Sequence, residues 1–245
     1  MEFKSQPVID QKGHFEALNR MAKLDKYYEW AYHNIEPWIG KRILDVGSGI
    51  GSITHKLSDK ELVILIDNSK INVEHMERVF RNFDNFKVLC RDILYIDSVE
   101  FQNYGVDTVI CLNVLEHLKD DYLALQNIYR LLCEGGNLLL QVPALETLYG
   151  SMDIASGHFR RYNKHKLINI AEQIGFKVNK VFYMNIFGVL PWFIKSRILK
   201  KEVNFSRTLA PEKLDSYNKL MPIFEKIENI IPVPLGMSLI AIFKK

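Results

Sequence analysis

Cysteine is scarce: Cys90, Cys111 and Cys133 are the only three among 245 residues, and no two form a C-x-x-C pair. That excludes a disulfide framework and a cysteine-rich zinc site, and a reducing cytoplasm is the expected location. Strong charge is missing too. The net charge of +3 is too mild to argue for a nucleic-acid partner, and none is expected. No run approaches the roughly 20 apolar residues that a membrane-spanning helix requires. The opening MEFKSQPVID has no apolar stretch of signal-peptide length. Internal repeats and low-complexity tracts are lacking as well. What the chain does have is a hydrophobic content of 48%, enough for a sizeable core. Its length suits one α/β domain with additions.

The stretch ILDVGSGIGSIT, Ile43 to Thr54, organises the rest. Ile43 to Val46 reads as a short strand buried on both faces. Gly47, Gly49 and Gly51 break it, and Ser52 to Leu57 is expected to open a helix. Glycine belongs where a chain turns sharply or lets a ligand approach its backbone. A helix N-terminus beyond it offers N–H groups to that ligand. Such a turn serves many nucleotides, and Asp45 narrows the field. Its carboxylate would repel a pyrophosphate, and the third glycine of the dinucleotide fingerprint falls on Ser52. A ligand bearing positive charge suits this edge better. With Asp45 in front, the stretch resembles the glycine-rich motif of class I S-adenosylmethionine-dependent methyltransferases. Their cofactor carries a sulfonium and an ammonium and no phosphate.

Further apolar runs follow at Leu62 to Ile66, Phe86 to Cys90, Val106 to Leu112 and Asn137 to Val142. Helical stripes alternate with them: Val73, Met76, Phe80 and Phe83, then Leu125, Ile128 and Leu132. This alternation predicts a parallel sheet with right-handed crossovers. Ligands then lie beyond the carboxyl ends of the strands, where Gly47, Asp67, Asp92, Asn113 and Pro143 all fall. Asp67 stands about 20 positions past the first glycine, the distance of an acidic residue that hydrogen-bonds a ribose diol. The competing reading is a helix cap, a task that Asn68 or Ser69 also fits, which leaves Asp67 freer to bind. The resemblance implies that Asp92 accepts from the adenine amino group and that Ile93 packs on the ring. It also implies that Asn113 or Leu112 lies beside the methionine part, with Asn68 a further cofactor neighbour. The N-P-P-[YF] turn of enzymes that methylate planar amides or base nitrogens is absent here, which argues against such acceptors.

From His14 onward one helix is expected, with Phe15, Leu18, Met21 and Tyr28 at helical spacing. Its aromatics read chiefly as core; one tyrosine, Tyr28 or Tyr27, is expected to reach the cofactor. Ala144 to Tyr162 shows no clear helix or strand pattern, and a loop this long is more often a functional lid than filler. With Val142-Pro143-Ala144 before it, it looks like a bacterial small-molecule subgroup of the same family, linked with glycan or lipid-linked sugar pathways. A hydroxyl acceptor needs a base, and histidine titrates near neutral pH. His158 in the lid ranks ahead of His117, which follows Glu116; the competing reading for both is a structural brace. Arg160 and Arg161 carry guanidinium forks that suit an anionic substrate group, against ion pairs to Asp153. Tyr149 and Tyr162 complete the expected acceptor side. No spacing of His, Asp and Glu suggests a metal.

Lys177 to Ile186 and Ser238 to Phe243 read as the last strands, separated by a long insertion. Its apolar-then-basic run, Ile186 to Lys201, is expected to cover the pocket, with peripheral contact to an anionic membrane surface as the other reading. A helix is expected from Pro211 to Ile231. The expected fold is thus α/β: a Rossmann-like, seven-stranded, mostly parallel sheet with its last strand antiparallel. One domain spans 1–245, with a helical cap at 1–40, a cofactor-binding core at 41–143, and lid, insertion and last strands at 144–245. The expected activity is methyl transfer from S-adenosylmethionine to a small molecule, a sugar or lipid-linked hydroxyl. A nicotinamide-dependent enzyme and a non-catalytic S-adenosylmethionine-binding module are the alternatives. Calorimetric titration with both cofactors separates the first of these: uptake of S-adenosylmethionine is expected, and tight NAD uptake with the other ignored overturns the reading.

Overall fold

The computed structural model describes residues 11–198 and 211–245. Strands β1 (Arg42–Val46), β2 (Leu62–Asp67), β3 (Phe86–Cys90), β4 (Thr108–Leu112) and β5 (Asn137–Pro143) lie parallel to their neighbours. β6 (Lys177–Met184) and β7 (Ser238–Lys244) complete a seven-stranded sheet in the order β3-β2-β1-β4-β5-β7-β6. β7 runs antiparallel to both β5 and β6. The expected architecture is borne out. The strand order reverses between β1 and β4, and in such sheets the crevice outside the strand ends at that reversal is where ligands bind.

Every position of β2 is buried, because helices cover both faces. The helices are α1 (Gln11–Met21), α2 (Asp25–Ile35), α3 (Lys70–Phe80), α4 (Ser98–Gln102), α5 (Asp121–Leu131), α6 (Ser151–Ala155), α7 (Lys164–Ile174), α8 (Val189–Phe193) and α9 (Pro211–Ile230). Successive strand residues point to opposite faces, so the apolar runs feed two cores. Leu44, Ile64, Val109 and Leu138 meet Phe101, Leu125, Ile128 and Leu167 from α4, α5 and α7. Ile43, Val63, Ile110 and Leu139 meet Trp30, Met76, Phe80 and Met221 from α2, α3 and α9. Among the described residues no helix is long and apolar enough to cross a membrane.

Several local expectations are corrected. The glycine turn leads into a 3-10 helix at Thr54–Leu57 rather than an α-helix, a form favoured where only a short piece fits before the next strand. The N-terminal segment is two helices, α1 and α2, broken where buried Leu24 leaves the helical conformation. α3 ends at Phe80, which stacks on Phe86 with ring centroids 4.9 Å apart, and Phe83 lies beyond it. The lid contains a 3-10 turn, Glu146–Leu148, and α6. In the insertion, α8 is followed by a π-helical turn, Ile194–Ile198, and α9 begins at Pro211. Lys200 and Lys201 lie outside the described residues.

α2 belongs to the core rather than to a loose flap. Trp30 is 1% exposed, and α9 is tied to the start of α2, where the Lys26 amide donates to Asn218 Oδ1 at 3.0 Å. Trp30→Ala should therefore destabilise the fold by about 3–5 kcal/mol in urea unfolding; a cost under about 1 kcal/mol would show that α2 only drapes over the sheet.

Candidate active site

The chain turns at the end of β1 by placing Gly47, Gly49 and Gly51 at φ +64, +59 and +78. A side chain at Gly47 would also bring a Cβ to 2.5 Å from Val114 Cγ2. The turn is pinned to the end of β2: Gly47 N donates to Ile66 O at 2.8 Å and Gly49 N to Asp67 Oδ2 at 2.9 Å. Ser69 N and Asn72 Nδ2 donate to Asp67 Oδ1. Asp67 is therefore more engaged than its sequence position suggests. Ser69 takes the cap position of α3 without a side-chain cap bond, and Asp67 receives its amide instead. Asn68 is exposed just beyond.

Asp45 is 5% exposed and its Oδ2 accepts from Thr54 Oγ1 at 3.1 Å. Burial pushes its carboxyl up to about 7; the Thr54 hydroxyl opposes this and the Asp67 charge adds to it. Two carboxylates thus sit close together in a dry turn, an arrangement that a cation relieves and a diphosphate worsens. Tyr28 hydrogen-bonds Ser52 of the same turn, and burial drives its phenol up to about 12. Tyr27 lies elsewhere: its hydroxyl accepts from Gln141 Nε2 at 2.7 Å, by the end of β5. Asp92 accepts Leu94 N at 2.9 Å and caps a 3-10 turn that contains buried Ile93. Asn113, exposed at the end of β4, has φ +56, a conformation rare for a residue with a side chain and concentrated at functional sites.

α1 crosses this mouth. Leu18 lies against Gly49, and His14 feels the charge of Asp67. The His14 ring also stands 6.2 Å from that of His117. Nothing in the local pattern around His14 marks it, because its neighbours arrive only through the docking of α1.

Beyond β4 the chain places Glu116 and His117 under the lid. Glu116 is 1% exposed, burial raises its carboxyl to about 7, and its Oε2 has no hydrogen-bond partner among the described residues. The His117 ring hydrogen-bonds the Gly157 backbone; burial, then the charge of His158, lowers its pKa to about 3. It is a neutral imidazole and a poor proton acceptor. The His158 ring stands edge-on to it at 4.7 Å, and His158 Nδ1 meets Asp153 Oδ1 at 3.1 Å. Ligand-type atoms of Glu116, His117 and His158 all lie within 4.8 Å of one another. Spacing along the chain gives no sign of this cluster, because His158 lies about 40 positions beyond Glu116 and His117.

The lid hangs on buried Asp153. Arg161 Nε donates to its Oδ1 at 2.7 Å and Gly150 N to its Oδ2 at 3.0 Å. Arg161 also donates to Ala144 O, and its guanidinium lies 4.7 Å from the Trp192 ring centre. At 3% exposure it is a fastener, so its expected role as a substrate clamp is corrected. Arg160 pairs with Asp121 rather than Asp153 and donates to Lys119 O. Tyr162 is buried and donates to Asp121 Oδ2, so it too is structural. Tyr149 donates to the His158 carbonyl at 2.8 Å. The structure thus gathers the glycine turn, Asp67, Asn113, His117 and His158, and leaves Arg160 and Tyr162 to hold the lid.

Residues 39–226 match a family model described as a methyltransferase domain. A tRNA U34 carboxymethyltransferase of Sulfurovum sp. is 30% identical over 53% of this chain and 44% of its own length. The chain spans less than two thirds of the length of the curated relatives it matches. A SAM-dependent methyltransferase from Archaeoglobus fulgidus has the same fold, with a TM-score of 0.57 and 19% identity, covering 87% of this chain and 91% of that one. The N-methyltransferase NodS from Bradyrhizobium japonicum, in complex with S-adenosyl-L-homocysteine, superposes with a TM-score of 0.56 and 14% identity, over 89% of this chain and 84% of that one.

The Asp45 carboxyl leads to a pH test. Its folded value, about 7, lies above the ordinary 3.8, so the folded chain holds this proton more tightly than the unfolded one. That contribution is complete below about pH 4 and is lost as pH rises through about 7. Urea unfolding across this window should show a steeper loss of stability with rising pH in the wild type than in Asp45→Asn. Equal slopes would contradict the shift.

Proposed function

Because this chain belongs to the methyltransferase-domain family, we propose that it moves a methyl group from S-adenosylmethionine to a hydroxyl of a small molecule, a sugar or a lipid-linked acceptor. S-adenosylmethionine supplies an electrophilic methyl on a cationic sulfur. The residues present fit it. The buried Asp45 carboxylate, with Asp67 raising its pKa, is stabilised by positive charge. The positive-φ glycines bring backbone to the ligand without side chains in the way. Asp67 Oδ2, which accepts from Gly49 N, receives the ribose hydroxyls. Asp92 and Ile93 hold the adenine, Tyr28 and Asn68 border it, and Asn113 flanks the methionine part. The homocysteine nucleoside in the NodS structure supports the same ligand class.

The cluster of Glu116, His117 and His158 carries the reading, because the β4 loop joins it directly to Asn113. In the transfer, the acceptor oxygen bonds to the methyl carbon, and the carbon–sulfur bond breaks with its electron pair left on sulfur. The acceptor proton is lost at this cluster. Holding oxygen and methyl in line, with water excluded by the lid, supplies about 7–11 kcal/mol of the barrier reduction. Exposed Leu190, Phe193 and Ile194, followed by Lys195, support contact of a lipid-linked acceptor with an anionic membrane surface.

Label transfer tests this. With methyl-labelled S-adenosylmethionine and a small-molecule extract of the native host, the label should appear on a hydroxyl-bearing compound. His158→Ala should slow the transfer by about 10²–10⁴-fold while leaving cofactor affinity in calorimetry within a few-fold. Label that stays on the cofactor in every fraction would favour the non-catalytic module.

A further inference from the structure

The same cluster has a property that proton transfer alone does not require. We propose that Glu116, His117 and His158 form a binding site for one divalent transition-metal ion, which takes the acceptor hydroxyl as a further ligand. This rests on the methyl-transfer reading for its role but not for its existence.

Four observations support it. Each of the three residues offers one ligand atom, and these atoms lie within 4.8 Å of one another. Glu116 is 1% exposed, and its Oε2 is buried with no hydrogen-bond partner among the described residues. A carboxylate oxygen in that position costs folding energy unless something positive completes it. Both histidines have one ring nitrogen fixed by an oxygen, His158 Nδ1 by Asp153 Oδ1 at 3.1 Å and the His117 ring by the Gly157 backbone. That is how metal-ligating imidazoles are oriented, with the second nitrogen turned to the ion. Finally, Arg161, whose charge Glu116 feels, is ion-paired to Asp153 at 2.7 Å, which limits its repulsion of an incoming ion.

Two imidazoles and one carboxylate suit zinc, cobalt, manganese or ferrous iron better than calcium or magnesium. Three protein ligands leave room for an oxygen of the acceptor, as in catalytic rather than structural sites. An ion there lowers the pKa of that hydroxyl, so its proton leaves to bulk water as the acceptor binds, before the oxygen attacks the methyl. His158 then serves as a ligand in place of a base. Glu116 and His117 are adjacent, but His158 comes from the lid, so the ion also fastens the lid to the sheet.

The test uses the full chain, stripped with EDTA and titrated with cobalt(II). One equivalent should bind, seen by calorimetry and by the visible absorption of a four- or five-coordinate cobalt centre. Glu116→Gln and His158→Ala should each weaken binding at least 10-fold, with circular dichroism unchanged. Asp153→Asn should weaken it by about 10–100-fold if the chain folds. Failure of the wild type to bind one equivalent, or equal binding by wild type, Glu116→Gln and His158→Ala, overturns the proposal. Methyl transfer that persists in EDTA overturns the metal's role and leaves His158 as the base, whereas cobalt binding without any transfer sinks the methyltransferase reading and leaves the metal site standing.

Discussion

Two carboxylates buried at the carboxyl ends of neighbouring strands are the constraint around which this structure is arranged. Asp45 and Asp67 lie on β1 and β2, and the Asp67 charge raises the cost of ionising Asp45 beyond what burial alone imposes. The fold answers Asp67 with backbone and side-chain donors, Gly49 N, Ser69 N and Asn72 Nδ2. Asp45 receives much less, a single hydroxyl from Thr54. The difference leaves a net demand for positive charge inside the glycine turn. The parallel sheet creates this situation, since strand ends and backbone donors converge where the strand order reverses.

The lid solves a second electrostatic problem with a different device. Asp153 is buried, and Arg161, Gly150 N and His158 surround it. Removing one member would leave the others charged or unpaired in a dry place, which is far costlier than the pair is stabilising. Arg161 also lies on the Trp192 ring and on the Ala144 carbonyl, so the lid, the end of β5 and the insertion share one fastening. His158 takes its orientation from that fastening. A group held this firmly suits catalysis, which depends on placement more than on intrinsic reactivity.

The cap contributes in two unequal parts. α2 is anchored through Trp30 in the core shared with α3 and α9. α1 buries no residue fully and rests over the glycine turn through Leu18 and His14. Elements with few buried contacts open at lower energy cost than well-packed ones, so α1 is held less firmly than α2.

Local pattern alone specified the sheet. The unbroken apolar runs from Leu62 to Ile66 and from Asn137 to Val142 cannot be satisfied unless both faces are covered, and strand–helix alternation then leaves one class of topology. The glycines and Asp45 were legible for the same reason, because a backbone conformation or a lone acidic residue beside a turn is a local fact. Arg161, Tyr162 and Glu116 were not. From sequence a guanidinium is equally a clamp or a brace, and only the approach of Asp153 decides it. The cluster of Glu116, His117 and His158 likewise depends on a lid returning from far along the chain to the end of β4. Short-range periodicity fixes which residues face inward; which charges meet there is set by long-range packing, and that is decided only when the chain has closed on itself.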